Sequence, residues 1–160
     1  MGTEQEKGLV ELSVFKEFIP KSGLSVIPES IVKCIKEQSP DITCELIDNG
    51  AVAFELVEIC NSEIAEKISY VRSGGKFETL TVDNPAQMIV CKKFRKIYLT
   101  DLPLELLCYT NGRTVATDDM LVDEILSAIS TYESHILFRR IWLLGEKGNV
   151  YEIWNQSHMF

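Results

Sequence analysis

Four carboxylates stand where strands usually carry apolar or uncharged side chains: Asp41, Glu45, Glu55 and Glu58. Carboxylate oxygens are the ligands that hard divalent cations such as Mg²⁺ prefer in proteins. A cation held beside a phosphodiester activates water and neutralises the negative charge that develops during hydrolysis. Residues of this type therefore indicate metal-assisted phosphodiester chemistry, provided that two of the carboxylates converge.

Residues 39–59 read as two strands joined by a turn, and the length of the turn decides which side chains share a face. A two-residue turn pairs Ile47 with Val52 and mixes charged residues into both faces. A three-residue loop that ends at Gly50, in the left-handed bulge conformation, pairs Ile47 with Ala51 instead. We favour the second register because it sorts the side chains far better.

In the bulged register one face of the hairpin is apolar apart from Glu58 at its rim. It collects the following residues: Ile42, Cys44, Leu46, Val52, Phe54 and Leu56. Asp41 and Glu55 then lie together on the opposite face, on adjacent strands. We expect their carboxyl groups within about 6 Å of each other, close enough to share a divalent ion or to raise the pKa of one of them.

Pro40-Asp41 at the head of one strand and Glu55-Leu56-Val57 in the next resemble the motif of the PD-(D/E)xK nuclease superfamily, the restriction-endonuclease-like fold. The resemblance implies that Asp41 and Glu55 are catalytic and hold Mg²⁺. It also implies that a lysine two positions after the second acid orients the attacking water and stabilises the developing charge. This sequence departs from the family pattern, because Val57 takes the lysine position.

Some members of this superfamily supply the lysine from another element. Lys67, in the predicted helix that follows the hairpin, is the first candidate for the catalytic lysine, and Lys36 is the second. Glu66-x-x-x-Tyr70 on the same helix is similar to the Gln-x-x-x-Tyr motif of the recombination-nuclease branch. The resemblance covers roughly residues 24–72.

A basic run lies in the predicted helix 85–97: Lys92, Lys93, Arg95 and Lys96. Its three lysines form a candidate nucleic-acid-binding surface that would contact phosphates, and the ordinary alternative is the solvated face of an amphipathic helix. If DNA is a partner, we expect these lysines and Lys67 on the same side of the molecule as Asp41.

The acids of the hairpin also have ordinary structural interpretations. Asp41 is a common type of residue at the start of a strand. Glu55 would be satisfied by an ion pair with Lys67 or with another base from a covering helix. Glu45 and Glu58 are expected to be solvated.

Alternating helical and extended segments indicate the α/β class. We predict helices over 9–19 (ended by Pro20 and Gly23), 29–38, 61–71, 85–97 and 118–133, an extended piece over 24–27, and strands over 103–110, 135–144 and 149–154. Arg139 and Arg140 adjoin in one of these strands, so we expect them to point to opposite faces and not to serve one site. The expected architecture is a single domain, 1–160, with 1–8 flexible and a restriction-endonuclease-like core: a central mixed sheet of about five strands flanked by helices.

Composition limits the partners and the compartment. The formal net charge of −8 argues against a nucleic-acid binder driven by charge alone. Five cysteines without C-x-x-C spacing indicate reduced thiols in a cytoplasmic protein, and the longest apolar runs are too short to span a membrane.

Two functions remain open. One is a Mg²⁺-dependent nuclease or a relative that acts on or binds DNA through Asp41 and Glu55. The other is a catalytically inactive domain of the same fold that serves binding or assembly, in which Val57 marks the lost chemistry. A homodimer fits either function, because Trp142, Trp154 and the apolar C-terminus offer apolar surface.

Overall fold

The computed structural model of the protein describes residues 3–60, 85–112 and 114–159. These residues form a six-stranded mixed sheet flanked by three α-helices, which confirms the predicted α/β class. The strands lie side by side in chain order: β1 (Val32–Lys33), β2 (Ile42–Leu46), β3 (Gly50–Glu58), β4 (Leu104–Tyr109), β5 (Arg140–Leu144) and β6 (Val150–Asn155). The helices are α1 (Glu4–Ser22), α2 (Pro85–Arg95) and α3 (Asp118–Tyr132).

Strand direction divides the sheet into three parts. The strands β1, β2 and β3 form an antiparallel meander, β3, β4 and β5 run parallel, and β6 returns antiparallel to β5. The crossover from β4 to β5 runs through α3, which packs on the opposite face of the sheet from α1. None of the helices in the described ranges has both the length and the apolar character needed to cross a membrane.

The helix α1 begins with a capping box and ends at a left-handed glycine. Thr3 Oγ1 accepts a hydrogen bond from the Glu6 N–H at 3.2 Å, and Glu6 Oε2 accepts one from the Thr3 N–H at 2.8 Å. The helix continues through Pro20, where we predicted its end, and stops at Ser22 before Gly23 (φ +80°). A proline so close to the end of a helix removes one backbone hydrogen bond, and the packing of α1 on the sheet outweighs that loss.

Aromatic side chains of α1 pack on the apolar face of the sheet. The ring centroids of Phe15 and Phe54 are 4.9 Å apart, and those of Phe18 and Trp142 are 5.2 Å apart in an edge-to-face arrangement. All six residues that the bulged register assigned to the apolar face are buried in this layer: Ile42, Cys44, Leu46, Val52, Phe54 and Leu56. The predicted sorting of the hairpin is therefore confirmed.

The hairpin has the predicted loop length and a register displaced by two residues. Gly50 has a positive φ of +73°, as expected, but Glu45 rather than Ile47 lies opposite Ala51. A displacement of two residues keeps every side chain of the hairpin on its predicted face of the sheet, because side chains alternate with a period of two. It frees Ile47 for another partner, since its N–H donates to the Ser25 carbonyl at 2.9 Å.

The predicted helix 29–38 is wrong. The structure has one 3₁₀ turn at Pro28–Ser30, the short strand β1 and an irregular turn. Pairing with β2 outweighs local helix propensity here: Ser30 Oγ accepts the Glu45 N–H at 2.8 Å, and the Cys34 N–H donates to the Asp41 carbonyl at 2.9 Å.

The other face of the sheet is covered by α2 and α3. Val90 and Phe94 of α2 and Leu121 and Ile125 of α3 are buried in one cluster with the strands β3, β4 and β5. Both helices agree with the predicted segments 85–97 and 118–133, and the predicted strands around 103–110, 135–144 and 149–154 correspond to β4, β5 and β6. The predicted helix 61–71 lies outside the described residues.

Candidate functional site

Asp41 and Glu55 meet at the edge of the hairpin. Asp41 lies one residue before β2, next to the pair formed by Ile42 and Phe54, and this position sets it against Glu55 of β3. The two carboxyl groups lie close enough that each shifts the pKa of the other. Asp41 Oδ2 also accepts the Leu56 N–H at 2.8 Å. The register places the two acids beside each other on neighbouring strands, and a carboxylate separation within about 6 Å stays a prediction.

Glu55 is fully buried and has one well-satisfied oxygen. Glu55 Oε2 accepts from Lys93 Nζ at 2.9 Å, Lys96 Nζ at 3.0 Å and the Tyr98 hydroxyl at 3.1 Å. Glu55 Oε1 is buried and has no donor among the described residues. The two oxygens of this carboxyl group therefore have different surroundings.

A third carboxylate reaches the same region from α1. Glu11 is buried, and its Oε2 lies 2.9 Å from Lys33 Nζ. The same ammonium group lies 3.2 Å from the Asp41 carbonyl oxygen and 3.5 Å from Asp41 Oδ1. Lys33 therefore stands between Glu11 and Asp41 and links the helix to the sheet edge.

Burial and neighbouring charges shift the pKa values of these groups in different directions. Burial, and then the charge of Asp41, raise the pKa of Glu55. Burial opposes ionisation of Asp41 as well, but the Leu56 N–H and the lysines nearby outweigh it and lower the pKa of Asp41. The pKa of Glu11 is raised by burial and then by Asp41, and that of Tyr98 by burial and then by Glu55.

Lys33 is strongly held in its charged form. Burial alone would lower the pKa of Lys33, but its hydrogen bond to Glu11 and the charge of Asp41 outweigh that effect and raise it. Three carboxylates and three lysines make up the site, so its formal charges cancel. The members of this carboxylate–lysine site are Glu11, Asp41, Glu55, Lys33, Lys93 and Lys96.

The basic run does not form a single surface. Lys93 and Lys96, predicted to contact nucleic acid, lie in the site and bind Glu55, whereas Lys92 is exposed. Lys67, the first candidate for the catalytic lysine, lies outside the described residues together with the Glu66-x-x-x-Tyr70 motif. Lys36, the second candidate, is exposed beside the Asp41 groove described below.

The remaining acids of the hairpin are peripheral. Glu45 is exposed, and Glu58 is half-buried at the end of β3. Sequence reasoning missed Glu11, Lys33 and Tyr98. A signal existed for the first of these, because Glu11 stands four and seven residues before the core residues Phe15 and Phe18, and therefore on the buried side of the helix.

A groove leads from the surface to Asp41. It has a volume of about 780 Å³ and runs between α1 and the turn that joins β1 to β2. Asp41, Glu11, Lys33 and Lys96 line it. Among the described residues, no group of three or more His, Cys, Asp or Glu side chains is arranged to hold a metal ion. A cation at this groove would therefore rely on two carboxylates and on water.

A third buried carboxylate, Glu105, belongs to a separate cluster. Glu105 Oε2 accepts from Arg139 Nη2 at 2.6 Å and from Arg140 Nη2 at 2.8 Å, and Glu105 Oε1 accepts from Trp142 Nε1 at 2.7 Å. The expectation that the two arginines cannot serve one site is wrong. Strand alternation does not apply to this pair, because β5 begins only at Arg140.

Comparison of the chain with protein-family models, with curated proteins and with solved structures found no match. Functional inference therefore depends on the geometry of the carboxylate–lysine site.

Proposed function

We propose that the protein is a metal-dependent, nuclease-like protein that acts on phosphodiester bonds of DNA through Asp41 and Glu55. The observation that carries this proposal is the strand register that sets Asp41 beside Glu55, with Lys93 Nζ 2.9 Å from Glu55 Oε2. Two neighbouring acids, one of them paired with a lysine, are the kind of arrangement implied by the resemblance to the PD-(D/E)xK superfamily. The lysine comes from α2 instead of position 57.

Asp41 and Glu55 are the carboxylates that would hold a hard divalent cation. Mg²⁺ is commonly bound by one or two carboxylates and several waters, and a buried oxygen without a donor, Glu55 Oε1, is present to receive it. The bound ion would lower the pKa of a water ligand and polarise the phosphodiester.

Lys93 takes the role that Val57 cannot perform. Val57 is buried among apolar side chains, whereas the ammonium group of Lys93 reaches the acid pair from α2. At that position it orients the attacking water and stabilises the negative charge that develops on the phosphate oxygens. Tyr98 is a positioning residue, because its hydroxyl holds Glu55 Oε2 in place.

Calorimetry with Mn²⁺ tests the metal site directly. We expect the wild-type protein to release or absorb heat on binding Mn²⁺ and Asp41→Asn to abolish that signal, because the variant keeps the shape of the side chain and removes one negative charge. Glu45→Gln is the matched control and should bind normally, since Glu45 is exposed. The proposal is contradicted if the wild-type protein gives no heat of Mn²⁺ binding, or if Asp41→Asn gives the same heat as the wild type.

Cleavage assays with single- and double-stranded DNA test the chemistry. Lys93→Ala should bind Mn²⁺ but cleave about a hundredfold more slowly or worse, which is the usual effect of losing one transition-state contact. Normal cleavage by Lys93→Ala would exclude Lys93 as the catalytic lysine.

A catalytically inactive domain is the second candidate function. The observation that favours it is the charge balance of the site as a whole, since Glu55 already holds two lysines and Lys33 already lies between Glu11 and Asp41. In that case the ion pairs hold α1 and α2 against the sheet, and the groove serves binding alone. Mn²⁺ binding without any cleavage would support this alternative.

We place the protein in a reducing compartment such as the cytoplasm. All five cysteines are free thiols, and burial raises the pKa of Cys44 to about 11 and that of Cys108 to about 12. Buried thiols of this kind are inert and typical of reduced proteins.

A further inference from the structure

The strand β6 is the long outer strand of the sheet. In the part of the chain that the structure describes, it runs over Val150–Asn155 and has β5 as its neighbour on one side alone. Helices cover both faces of β6: Val150 packs in the layer of α1, and Tyr151 and Trp154 pack in the layer of α3. These side chains are only half-buried, because no further strand of the described residues lies beside them.

The hydrogen bonds between β5 and β6 determine which backbone groups of β6 point outward. The Gly145 N–H donates to the Asn149 carbonyl at 2.8 Å, and Leu144 faces Val150 in the next pair. Residues of antiparallel strands alternate between hydrogen-bonded and non-hydrogen-bonded pairs. Val150 and Glu152 therefore turn their N–H and C=O groups away from β5.

A β-bulge ends this regular pattern directly after Glu152. Trp142 of β5 faces Glu152. The preceding residue of β5, Ile141, faces Trp154, so Ile153 is the extra residue of β6. A long strand of a foreign protein would lose its register at the bulge, whereas a twofold pair of β6 strands needs only the residues that precede it.

A twofold axis through Tyr151 uses both outward residues of each chain. Val150 then faces Glu152 of a second copy, and these two residues exchange both of their N–H···O bonds on each side of the axis. An axis through Glu152 would instead set two like charges opposite each other, which destabilises a strand pair.

The charges around β6 favour the same axis. Val150 and Glu152 point to the α1 face, since Val150 packs in that layer and side chains two residues apart share a face. The ammonium group of Lys21 stands beside Glu17 against Gly148, in the space that a side chain at this position would take. Glu152 of the second copy would lie diagonally across from Gly148, within reach of Lys21.

We propose that β6 pairs with β6 of a second copy of this chain about a twofold axis at Tyr151, which joins two six-stranded sheets into one. The interface is independent of the chemistry at Asp41 and Glu55. The homodimer expected from the sequence relied on Trp142 and Trp154 as apolar surface, but Trp142 is buried. The contact is assigned to the backbone of β6 instead.

Sedimentation equilibrium of the full chain up to about 300 µM tests this proposal. We expect the wild type to form a dimer and Glu152→Pro to weaken it about tenfold or more, because each chain loses one outward N–H. The urea midpoint of the dilute protein should change little, since proline is tolerated in an outer strand where the N–H faces solvent.

A charge exchange tests the register. Glu152→Lys should weaken the dimer about tenfold, and the added change Lys21→Glu should restore it, because the two charges then exchange places. Glu133→Lys is the matched control and should associate like the wild type, since Glu133 is exposed on the segment that follows α3.

Oxidative crosslinking locates the axis. Tyr151→Cys should form a disulfide-linked dimer, because residues that face each other in a non-hydrogen-bonded antiparallel pair have Cα atoms about 4.5 Å apart. Ile153→Cys lies off the axis and is the control.

A wild type that stays monomeric at about 300 µM would overturn the proposal. A dimer that Glu152→Pro and Glu152→Lys leave unchanged would also overturn it, because the contact would then lie elsewhere on the molecule. Equal crosslinking of Tyr151→Cys and Ile153→Cys would exclude the twofold axis at Tyr151.

Discussion

Glu55 is a carboxyl group whose two oxygens have different surroundings. Oε2 accepts three hydrogen bonds from Lys93, Lys96 and Tyr98, whereas Oε1 has no donor among the described residues. Burial and the charge of Asp41 raise the pKa of Glu55, and the pKa of Asp41 is lowered. The pKa values of the two carboxyl groups are therefore shifted in opposite directions, that of Glu55 upward and that of Asp41 downward.

The raised pKa of Glu55 makes its contribution to stability depend on pH. A carboxyl group with a raised pKa in the folded state favours folding below its unfolded pKa, and this contribution is lost as pH rises through the folded pKa. Glu55→Gln lacks this titration. We therefore expect the unfolding free energy of the wild type, relative to Glu55→Gln, to fall with rising pH, by at most about 1.4 kcal/mol per pH unit.

Urea unfolding of both proteins between about pH 4 and pH 8 measures this difference. Asp41 acts in the opposite direction, because its lowered pKa contributes stability that is lost only as pH falls through that pKa. Glu45→Gln, on the exposed part of β2, should follow the wild-type curve. A difference between wild type and Glu55→Gln that stays constant with pH would contradict the assignment.

Sequence reasoning located the two acids and expected a base from a covering helix against Glu55, but it did not identify Lys93 and Lys96 as that base. The placement of Asp41 and Glu55 on one face could be predicted, because strand alternation and turn length are local properties of one hairpin. Lys93 was recognised as part of a basic run. Its ion pair with Glu55 was not predicted, because α2 is far from the hairpin in the chain. Contacts of that kind depend on tertiary packing, which no local pattern encodes.

Among the structural elements, β4 and β5 are joined at their starts by the Glu105 cluster. The carboxylate is fully buried and holds two guanidinium groups and an indole N–H. Removing one partner of a buried ion pair leaves the remaining charges without compensation. This cluster has no signal in the sequence, because its four residues come from two segments and the arginines adjoin at the very start of a strand.

We expect Glu105→Gln to lower the free energy of unfolding by about 3 kcal/mol, because two guanidinium groups then face a neutral amide. Urea unfolding at neutral pH checks this value. Glu152→Gln is the control on the neighbouring strand β6 and should have little effect, since Glu152 is exposed. A loss below about 1 kcal/mol for Glu105→Gln would mean that Arg139 and Arg140 are solvated after the change.

The segment 29–38 shows how element prediction fails when strand pairing competes with helix propensity. Its composition favours a helix between Pro28 and Pro40, yet Ser30 and Cys34 make hydrogen bonds to backbone groups near β2 instead. The Asp41 groove exists only because of this outcome, since the resulting turn forms one of its walls. An edge strand of two residues is too short to be predicted from the alternation of apolar and polar side chains.

On the scale of the whole molecule, the carboxylate–lysine site connects elements that are far apart in the chain. Glu11 belongs to α1, Lys33 to β1, Glu55 to β3 and Lys93 to α2. The ion pairs therefore span both layers of helices and pass around the edge of the sheet. The α/β class was predictable from alternating segments, but this connection needed the register and the helix orientations.

A double-mutant cycle measures how strongly α1 is tied to the sheet. We expect Lys33→Met and Glu11→Gln to show a coupling free energy of about 1–3 kcal/mol, because the Glu11 side chain is buried and lies 2.9 Å from the ammonium group. The control cycle uses Lys7→Met with Glu11→Gln, since Lys7 is largely exposed and lies 3.9 Å away. Its coupling should be below about 0.5 kcal/mol, and equal coupling in both cycles would contradict the assignment.

The brevity of β1 has a consequence for behaviour at high protein concentration. Sheet edges present unpaired backbone donors and acceptors, which allow strands of other chains to add and start aggregates. In the part of the chain that the structure describes, the outermost strand at this edge is Val32–Lys33, and the lysine adds a charge that an incoming strand would have to bury. The side of the sheet that carries the carboxylate–lysine site is therefore protected against intermolecular β-addition by the same residue that neutralises Glu11.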